Sequence, residues 1–172
     1  QAKLNEFRFD ATGTSGLTFG NVNFTTSGYN LLLLSATGPL AQALGISGTV
    51  NAGYINLSAG SGAVSVGNVT SSVAGANSVG NSVDISGGTI TTGNLMGPSV
   101  NVSGSDLSLG AVSSVGTNRN YDSNYIFVPH LGYYQYVNDE MHLTASGTLA
   151  TSGNVGSATS AYVTAGNGVS VA

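Results

Sequence analysis

The residues best suited to chemistry cluster in one segment, residues 117–142. This segment carries six of the thirteen aromatic residues, both His residues and three of the seven acidic residues of the chain. Tyr133, Tyr134 and Tyr136 bring aromatic faces near acidic and amide side chains, a mixture that suits sugar rings. The segment therefore predicts glycan contacts. The alternative is a long loop whose aromatic residues anchor it to the rest of the chain or to a neighbouring subunit.

Metal binding and acid–base catalysis have little support. His130, His142, Asp139 and Glu140 lack any recognised ligand spacing, so we expect neither a metal site nor a cofactor. Acid–base hydrolysis of sugars needs two carboxylates held on a fixed frame. Asp84 alternates with apolar neighbours in its strand and is expected to face water, as is Asp106.

The chain also has no nucleophile elbow, phosphate-binding loop or zinc-binding helix motif. With charged residues at only 6%, a polysaccharide-cleaving β-helix enzyme is disfavoured. We expect no enzymatic activity and no catalytic residue.

A repeated sequence motif predicts the elements that would position these residues. Each copy of the motif is two short strands around a turn. In Val83-Asp84-Ile85 and Val100-Asn101-Val102, apolar residues alternate with polar ones, which predicts half-buried strands. The clearest copies span residues 55–69, 83–95 and 100–112, and looser copies lie at residues 7–22, 143–155 and 163–171.

Most copies close with a Gly-Asn pair, and Gly and Asn are the residues that most readily accept positive φ. The pairs recur at residues 20–21, 67–68, 93–94 and 153–154. Stacked copies would place these Asn side chains in a ladder of amides. The intervals predict coils of roughly 17 to 26 residues. Further pairs at residues 80–81 and 166–167 are interpreted as a second corner of the same coil.

One copy is too small to bury its own apolar face, so stacking must supply the core. The sequence thus predicts an all-β fold, a single β-solenoid domain over residues 1–172 with an insertion or loop at 117–142. The run of Leu31 to Leu34 predicts a strand buried on both faces. The alternative fold is a pilin-like β-sandwich whose N-terminal arm donates a strand to a neighbour.

The repeats resemble those of filamentous haemagglutinin-type exoproteins. The resemblance rests on Ile90-Thr91-Thr92-Gly93-Asn94-Leu95 and the strand Val83-Asp84-Ile85-Ser86 before it, and it covers residues 46–115 best. It implies a right-handed parallel β-helix in an extracellular adhesin or fibre. Those large proteins begin with a secretion domain that carries Asn-Pro motifs, and this chain has no Asn-Pro.

The amino-acid composition limits the classes of partner that the chain is expected to bind. A formal charge of −4 with only three basic residues leaves little to neutralise phosphates, so nucleic-acid binding is not expected. The longest apolar run is far shorter than a membrane span. The weakly charged surface predicts an extracellular, cell-surface protein, and Gln1-Ala2 is interpreted as a mature N-terminus. Candidate glycosylation sites are Asn23, Asn56, Asn68 and Asn101.

The two ends of the chain resemble the repeats themselves. The bulkiest alternating pairs are Phe7 with Phe9 and Phe19 with Phe24. They predict a wide hydrophobic end, a seam with something else, or an ordinary core that contains Phe. An uncapped coil offers unpaired strand edges to another chain. We therefore expect self-assembly into a head-to-tail homopolymer, an extracellular surface filament. The alternative is an adhesin segment that binds glycans of a host or neighbouring cell. The expected interface residues are Phe7, Phe9, Val163, Val169 and Val171.

Overall fold

The computed structural model describes residues 5–13, 15–24, 30–38, 42–71, 82–115, 125–128, 133–136, 140–157 and 160–172. These residues form 22 β-strands and no helix. Twenty strands belong to three parallel sheets, and the other two form an antiparallel pair. The all-β prediction is therefore confirmed.

Each pass of the chain contributes at most one strand to each parallel sheet. In spatial order, the first sheet contains β1 (Asn5–Ala11), β4 (Asn30–Ala36), β7 (Tyr54–Ser58), β10 (Ser82–Ser86), β13 (Ser99–Gly104), β18 (Met141–Ala145) and β21 (Ala161–Ala165). The second contains β2 (Leu17–Phe19), β5 (Leu44–Ile46), β8 (Val64–Val66), β11 (Thr89–Thr92), β14 (Asp106–Leu109), β19 (Thr148–Thr151) and β22 (Gly168–Val171). The third contains β3 (Val22–Asn23), β6 (Val50–Ala52), β9 (Val69–Ser71), β12 (Leu95–Gly97), β15 (Val112–Ser114) and β20 (Val155–Ser157).

The chain visits the three sheets in the same order on every pass, so each pass is one coil of a parallel β-solenoid. Coils 1 to 5 are β1–β3, β4–β6, β7–β9, β10–β12 and β13–β15. Coil 6 is β18–β20, and coil 7 contributes β21 and β22 among the described residues. The β-solenoid prediction is confirmed. The β-sandwich alternative is wrong, because neighbouring strands in the three main sheets are parallel and come from successive coils.

The alternation seen in the sequence builds ladders of inward side chains. Along the first sheet, Leu34, Leu57, Ile85, Val102 and Leu143 stand in register from coil to coil. All five are nearly or fully buried, and inward residues of the other two sheets complete the same core. Each coil thus covers the apolar face of the one before it, which no coil could do alone.

Spacing between coils is less regular than the sequence suggested. Val83 and Val100 are register partners 17 positions apart, whereas Ile55 and Val83 are 28 positions apart. In the longer coils, the additional residues lie in the connections between strands of different sheets. The Leu run falls in β4, where Leu31 to Leu34 are at most 9% exposed, so the prediction of a strand buried on both faces is confirmed.

Asn side chains tie successive coils together at the corner between the second and third sheets. Asn68 Oδ1 accepts the backbone N–H of Asn94 at 2.8 Å, and Asn94 Oδ1 accepts that of Ala111 at 2.9 Å. Asn21 Oδ1 accepts the N–H of Thr49 in the same way, at 2.8 Å. The expected ladder is therefore present, but it joins side chains to the backbone of the next coil instead of joining amides to one another.

The glycine before Asn94 has a different role from the one expected. Among the described residues, positive φ occurs only at Gly60 and Gly168, so Gly93 does not need the left-handed region. A Cβ on Gly93 would instead lie 2.5 Å from Asn68 Oδ1. Gly93 is therefore needed because Asn68 of the neighbouring coil occupies the space that a side chain would fill.

Residues 166–167 lie at a different corner, between β21 and β22, whereas residues 153–154 lie between β19 and β20. The two pairs therefore mark two kinds of corner, but they belong to successive coils and not to the same coil as expected. Residues 80–81 lie outside the described part of the chain.

The insertion interrupts the solenoid between coils 5 and 6. Its described part is an antiparallel pair, β16 (Tyr125–Val128) with β17 (Tyr133–Tyr136). The coils resume with β18 at Met141, two residues earlier than the Leu143 start that the repeat pattern indicated.

Candidate functional sites

The first candidate site is the N-terminal tip, defined here by the inward side chains of coil 1. Its four phenylalanine rings form a chain of tilted and edge-to-face contacts. Phe7 lies 5.2 Å from Phe9 and 5.5 Å from Phe24, and Phe9 lies 5.6 Å from Phe19, between ring centroids. The rings surround a cavity of about 340 Å³, with Leu32 of coil 2 beneath them. This is an apolar cup that spans all three sheets.

The cup is open because the described chain offers no coil below coil 1. Phe7 and Phe9 remain 49% and 42% exposed, although their register partners Leu32 and Leu34 are buried. Of the interpretations that the sequence left for these phenylalanines, the exposure of Phe7 and Phe9 contradicts an ordinary core and fits a wide hydrophobic end, and a seam with something else stays a prediction.

The second candidate site is the C-terminal tip, defined by Val163 of β21 with Val169 and Val171 of β22. These side chains occupy inward positions, and their register partners Leu143 and Leu149 are almost fully buried. The three valines are nevertheless 39%, 50% and 52% exposed. All five residues expected at a self-assembly interface therefore lie at one tip or the other, and their role as an interface stays a prediction.

Outward residues at both tips were not anticipated. Tyr162 of β21 is 52% exposed, and its ring stacks on His142 of β18 with centroids 4.7 Å apart. At the other tip, Arg8 points outward from β1 and pairs with Asp10. The pKa of the Arg8 guanidinium is raised by that hydrogen bond and charge. The signal that locates Tyr162 and Arg8 is their position in the two end strands of the first sheet.

Burial changes the pKa of two side chains on the outer face of the first sheet, Asp84 and Tyr54. Asp84 is half-buried and does not face open water as expected, and burial raises the pKa of its carboxyl group. Asn56 Nδ2 donates to Asp84 Oδ2 at 3.4 Å across neighbouring coils. The pKa of the Tyr54 hydroxyl is raised, first by burial and then by the charge of Asp84.

Asp106 belongs to the second sheet and so is not brought together with Asp84. Its Oδ1 accepts the backbone N–H of Thr148 at 2.8 Å and the Thr148 hydroxyl at 2.7 Å. These two bonds lower the pKa of the Asp106 carboxyl. Asp106 thus makes the same kind of bond between coils as the corner Asn residues.

The remaining candidates for metal or glycan binding lie in β17, in or just before β18, or outside the described residues. His142 Nε2 lies 3.0 Å from Glu140 Oε2, but no group of three or more potential metal ligands occurs among the described residues. Tyr133, Tyr134 and Tyr136 belong to β17, and glycan contacts there stay a prediction. His130 and Asp139 lie outside the described residues.

The four candidate glycosylation sites all lie on the outside of the solenoid, and three of their side chains have contacts between coils. Asn23 and Asn68 are exposed, whereas Asn56 and Asn101 are half-buried. Asn23 Oδ1 accepts the side-chain amide of Asn51 at 2.6 Å, and Asn56 and Asn68 make the bonds described above. Glycosylation at these sites stays a prediction.

Within the described residues, no helix has the length and apolar character needed to cross a membrane. Comparison of the chain with protein-family models, curated proteins and solved structures gave no match. The resemblance to haemagglutinin-type repeats therefore stays a prediction that rests on the sequence.

Proposed function

We propose that the chain is a structural subunit that self-assembles head to tail into an extracellular filament, in which the C-terminal tip of one copy binds the N-terminal tip of the next. The observation that carries the proposal is the exposure of five inward side chains at the two tips, 39% to 52%, against 0% to 5% for inward apolar residues of coils 3 to 5. The five are Phe7, Phe9, Val163, Val169 and Val171. Both tips present the face that another coil would cover.

The registers of the end strands fit one another. If β1 of one copy pairs with β21 of another, continuation of the observed register places Phe7 over Ala161 and Phe9 over Val163. Ala161 is the smallest residue on its ladder and Phe7 the largest, so their volumes complement each other. In the second sheet, Leu17 falls over Val169 and Phe19 over Val171.

The outward residues are also compatible with this pairing. The same register places Arg8 over Tyr162, whose ring already stacks on His142. A guanidinium over an aromatic face contributes favourably. The strand edges of β21 and β22 carry no charged residue and no proline, the features with which proteins usually protect edge strands.

Apolar contacts must decide whether this joint forms. About eight main-chain hydrogen bonds would contribute roughly 4 to 12 kcal/mol. Association costs roughly 4 to 15 kcal/mol in lost freedom, so these two contributions nearly cancel. The phenylalanine and valine side chains buried at the joint would supply the surplus. Because the two tips differ, the contact is heterologous and extends into an open filament instead of closing as a dimer.

The proposal is tested by purifying the 172-residue chain and measuring its mass by light scattering and its shape by negative-stain microscopy. We expect rods longer than one chain, with an axial repeat of about 34 Å, since the seven coils are spaced about 4.8 Å apart.

A matched pair of variants identifies the surface. Val169→Lys places a charge in the joint and is expected to give monomers, whereas Ser170→Lys, on the outward side of the same strand, is expected to assemble. A wild-type chain that stays monomeric at high concentration, or a Val169→Lys variant that assembles as well as Ser170→Lys, would overturn the proposal.

A further inference from the structure

A polar cavity of about 170 Å³ lies on the outer face of the first sheet. Six of its seven described lining residues come from three successive coils and form two neighbouring ladders of outward side chains, with Arg8, Leu33 and Asn56 on one and Asp10, Ser35 and Ser58 on the other. Inward residues of the same strands form the core, so these two ladders belong to the side of the solenoid. A further coil stacked on coil 1 would leave the cavity in place.

We propose that this cavity binds one neutral sugar residue through its hydroxyl groups. A volume of about 170 Å³ holds roughly six water molecules at about 30 Å³ each, which is enough space for a single sugar ring. The two ladders make a patch about 9.6 Å long and roughly 6.6 Å wide, because strands lie about 4.8 Å apart and alternate residues of one strand lie about 6.6 Å apart. Binding at this patch does not depend on head-to-tail assembly.

Three polar side chains of the patch can both donate and accept hydrogen bonds. Ser35 and Ser58 carry hydroxyls, and Asn56 carries an amide. Ser58 Oγ accepts the hydroxyl of Ser86 at 3.1 Å, so its own O–H can donate to a ligand. Asn56 Nδ2 donates one N–H to Asp84 at 3.4 Å, which leaves its second N–H and its Oδ1. Sugar hydroxyls need the same combination of donors and acceptors.

Arg8 and Asp10 form an ion pair at one end of the patch. The bond joins Arg8 Nε to Asp10 Oδ2, so the two terminal NH₂ groups of Arg8 and the Oδ1 atom of Asp10 take no part in it. Donors therefore lie next to an acceptor. Two adjacent hydroxyls of a sugar ring match this arrangement, since one can accept from the guanidinium while the other donates to the carboxylate.

Leu33 supplies an apolar surface within the patch. It stands between Arg8 and Asn56 on their ladder and is 9% exposed. A sugar ring presents C–H groups on its faces and hydroxyls around its rim. Small-ligand sites combine apolar contacts with a few polar groups that fix the orientation of the ligand. The polar groups around Leu33 therefore suit the hydroxyl rim of a ring whose C–H face rests on this leucine.

The charges around the cavity favour a neutral ligand over an ionised one. The pKa of the Arg8 guanidinium is raised first by its hydrogen bond and charge interaction with Asp10, and also by the charge of Glu6. An anionic ligand would lie beside these two carboxylates, and a cationic ligand would lie beside Arg8. Like charges at close range disfavour binding, so the paired charges select a ligand that carries none.

An array of neutral and acidic glycans, probed with the purified 172-residue chain, tests the cavity. Ser35→Leu fills the centre of the patch and removes a hydroxyl, so we expect it to weaken the binding of neutral glycans at least roughly tenfold. Ser103→Leu makes the same change on the same ladder but outside the lining, and it is expected to bind as the wild-type chain does. Circular dichroism checks that both variants fold. Saturation-transfer NMR with methyl glycosides of neutral hexoses distinguishes a free sugar from a residue of a longer glycan.

Asp10→Asn tests the selection by charge independently. It removes the carboxylate that pairs with Arg8 and leaves the guanidinium to attract an anion. This variant is expected to bind acidic glycans that the wild-type chain does not bind, and to bind neutral glycans more weakly. If Ser35→Leu loses the β-sheet spectrum, this change of preference decides whether the cavity is the binding site.

Neutral glycans that bind the wild-type chain and Ser103→Leu but not Ser35→Leu would support the site, whether the methyl glycosides bind as well or only the longer glycans do. A wild-type chain that binds no neutral glycan, or that binds acidic glycans better, would overturn it. Equal binding by Ser35→Leu and the wild-type chain, or equal loss in the two leucine variants, would also overturn it, because the glycan would then bind elsewhere. An Asp10→Asn variant that keeps the wild-type preference would contradict contact between the ion pair and the ligand, and with it the proposed site.

Discussion

Ile85 and Val163 occupy the same ladder of inward side chains, yet their surroundings differ completely. Ile85 in coil 4 is 0% exposed, and Val163 in coil 7 is 39% exposed. Both alternate with polar neighbours in the same sheet, so the strand pattern does not distinguish them. The difference comes from the neighbouring coils, since Ile85 has one on each side and Val163 has one on one side only. The interior coils and the tips thus share one alternating pattern of inward side chains. They differ because the described residues cover the inward side chains on both sides in the interior coils and on one side only at the tips.

Introducing the same charge at both positions gives the largest expected difference between them. Ile85→Asp would bury a carboxylate without a partner, which costs several kcal/mol, about as much as the stability of a whole domain. We expect this variant not to fold, with loss of the β-sheet circular dichroism spectrum. Val163→Asp is expected to keep the spectrum and a melting temperature close to that of the wild-type monomer.

Val163→Asp is also expected to abolish the oligomers seen by light scattering, because the charge would lie in the joint. If this variant unfolds as fully as Ile85→Asp, the tip is part of the core needed for folding, and the distinction between interior and tip fails.

The corners offer a second comparison with a smaller effect. A Cβ at Gly93 would lie 2.5 Å from Asn68 Oδ1 and 2.9 Å from the Gly67 carbonyl carbon, whereas a Cβ at Gly20 meets nothing within 4 Å. Gly93→Ala is therefore expected to lose roughly 1 to 3 kcal/mol of unfolding free energy, as overpacked sites do. Gly20→Ala serves as the matched control at the same corner of coil 1. Urea unfolding of both variants at low protein concentration measures the difference, and equal losses would contradict the steric role of the glycine.

Much of this architecture could be predicted from the sequence. Alternation in Val83-Asp84-Ile85 and its copies is enough to predict half-buried strands, and the recurrence of Gly-Asn is enough to predict stacked coils. The number of sheets is a different matter. The third strand of each coil is only two or three residues long, too short for period-two alternation to stand out from the turn beside it.

The site was predicted less completely, for two physical reasons. The inward direction of Phe7 and Val169 follows from local alternation, so the tip residues could be named from the sequence. The stacking of Tyr162 on His142 depends on which strands become neighbours, which is a property of the whole stack. The role of Gly93 also depended on a neighbour, because the atom that excludes a side chain there belongs to Asn68, 25 positions earlier.

The smallest expected effect is the pH-dependent contribution of two aspartates to folding stability. The contribution has one sign for Asp84 on the outer face and the opposite sign for Asp106 at a corner. Burial raises the folded-state pKa of Asp84, so its ionised form disfavours the folded chain, and that penalty grows as pH rises through the raised pKa. Asp84→Asn is therefore expected to raise stability at pH 7. The gain should shrink as pH falls toward the unfolded-state pKa of about 4.

The bonds from Thr148 lower the folded-state pKa of Asp106, so its stabilising contribution is complete above the unfolded-state pKa and is lost as pH falls through the lowered value. Asp106→Asn is expected to lower stability slightly at pH 7, because an amide oxygen can accept the same N–H, as Asn68 does. The loss should disappear in acid. Urea unfolding of both variants between pH 3 and pH 7 tests the contrast. Since one carboxylate is disfavoured by burial and the other is favoured by donors from the next coil, two variants that shift stability in the same direction at pH 7 would contradict it.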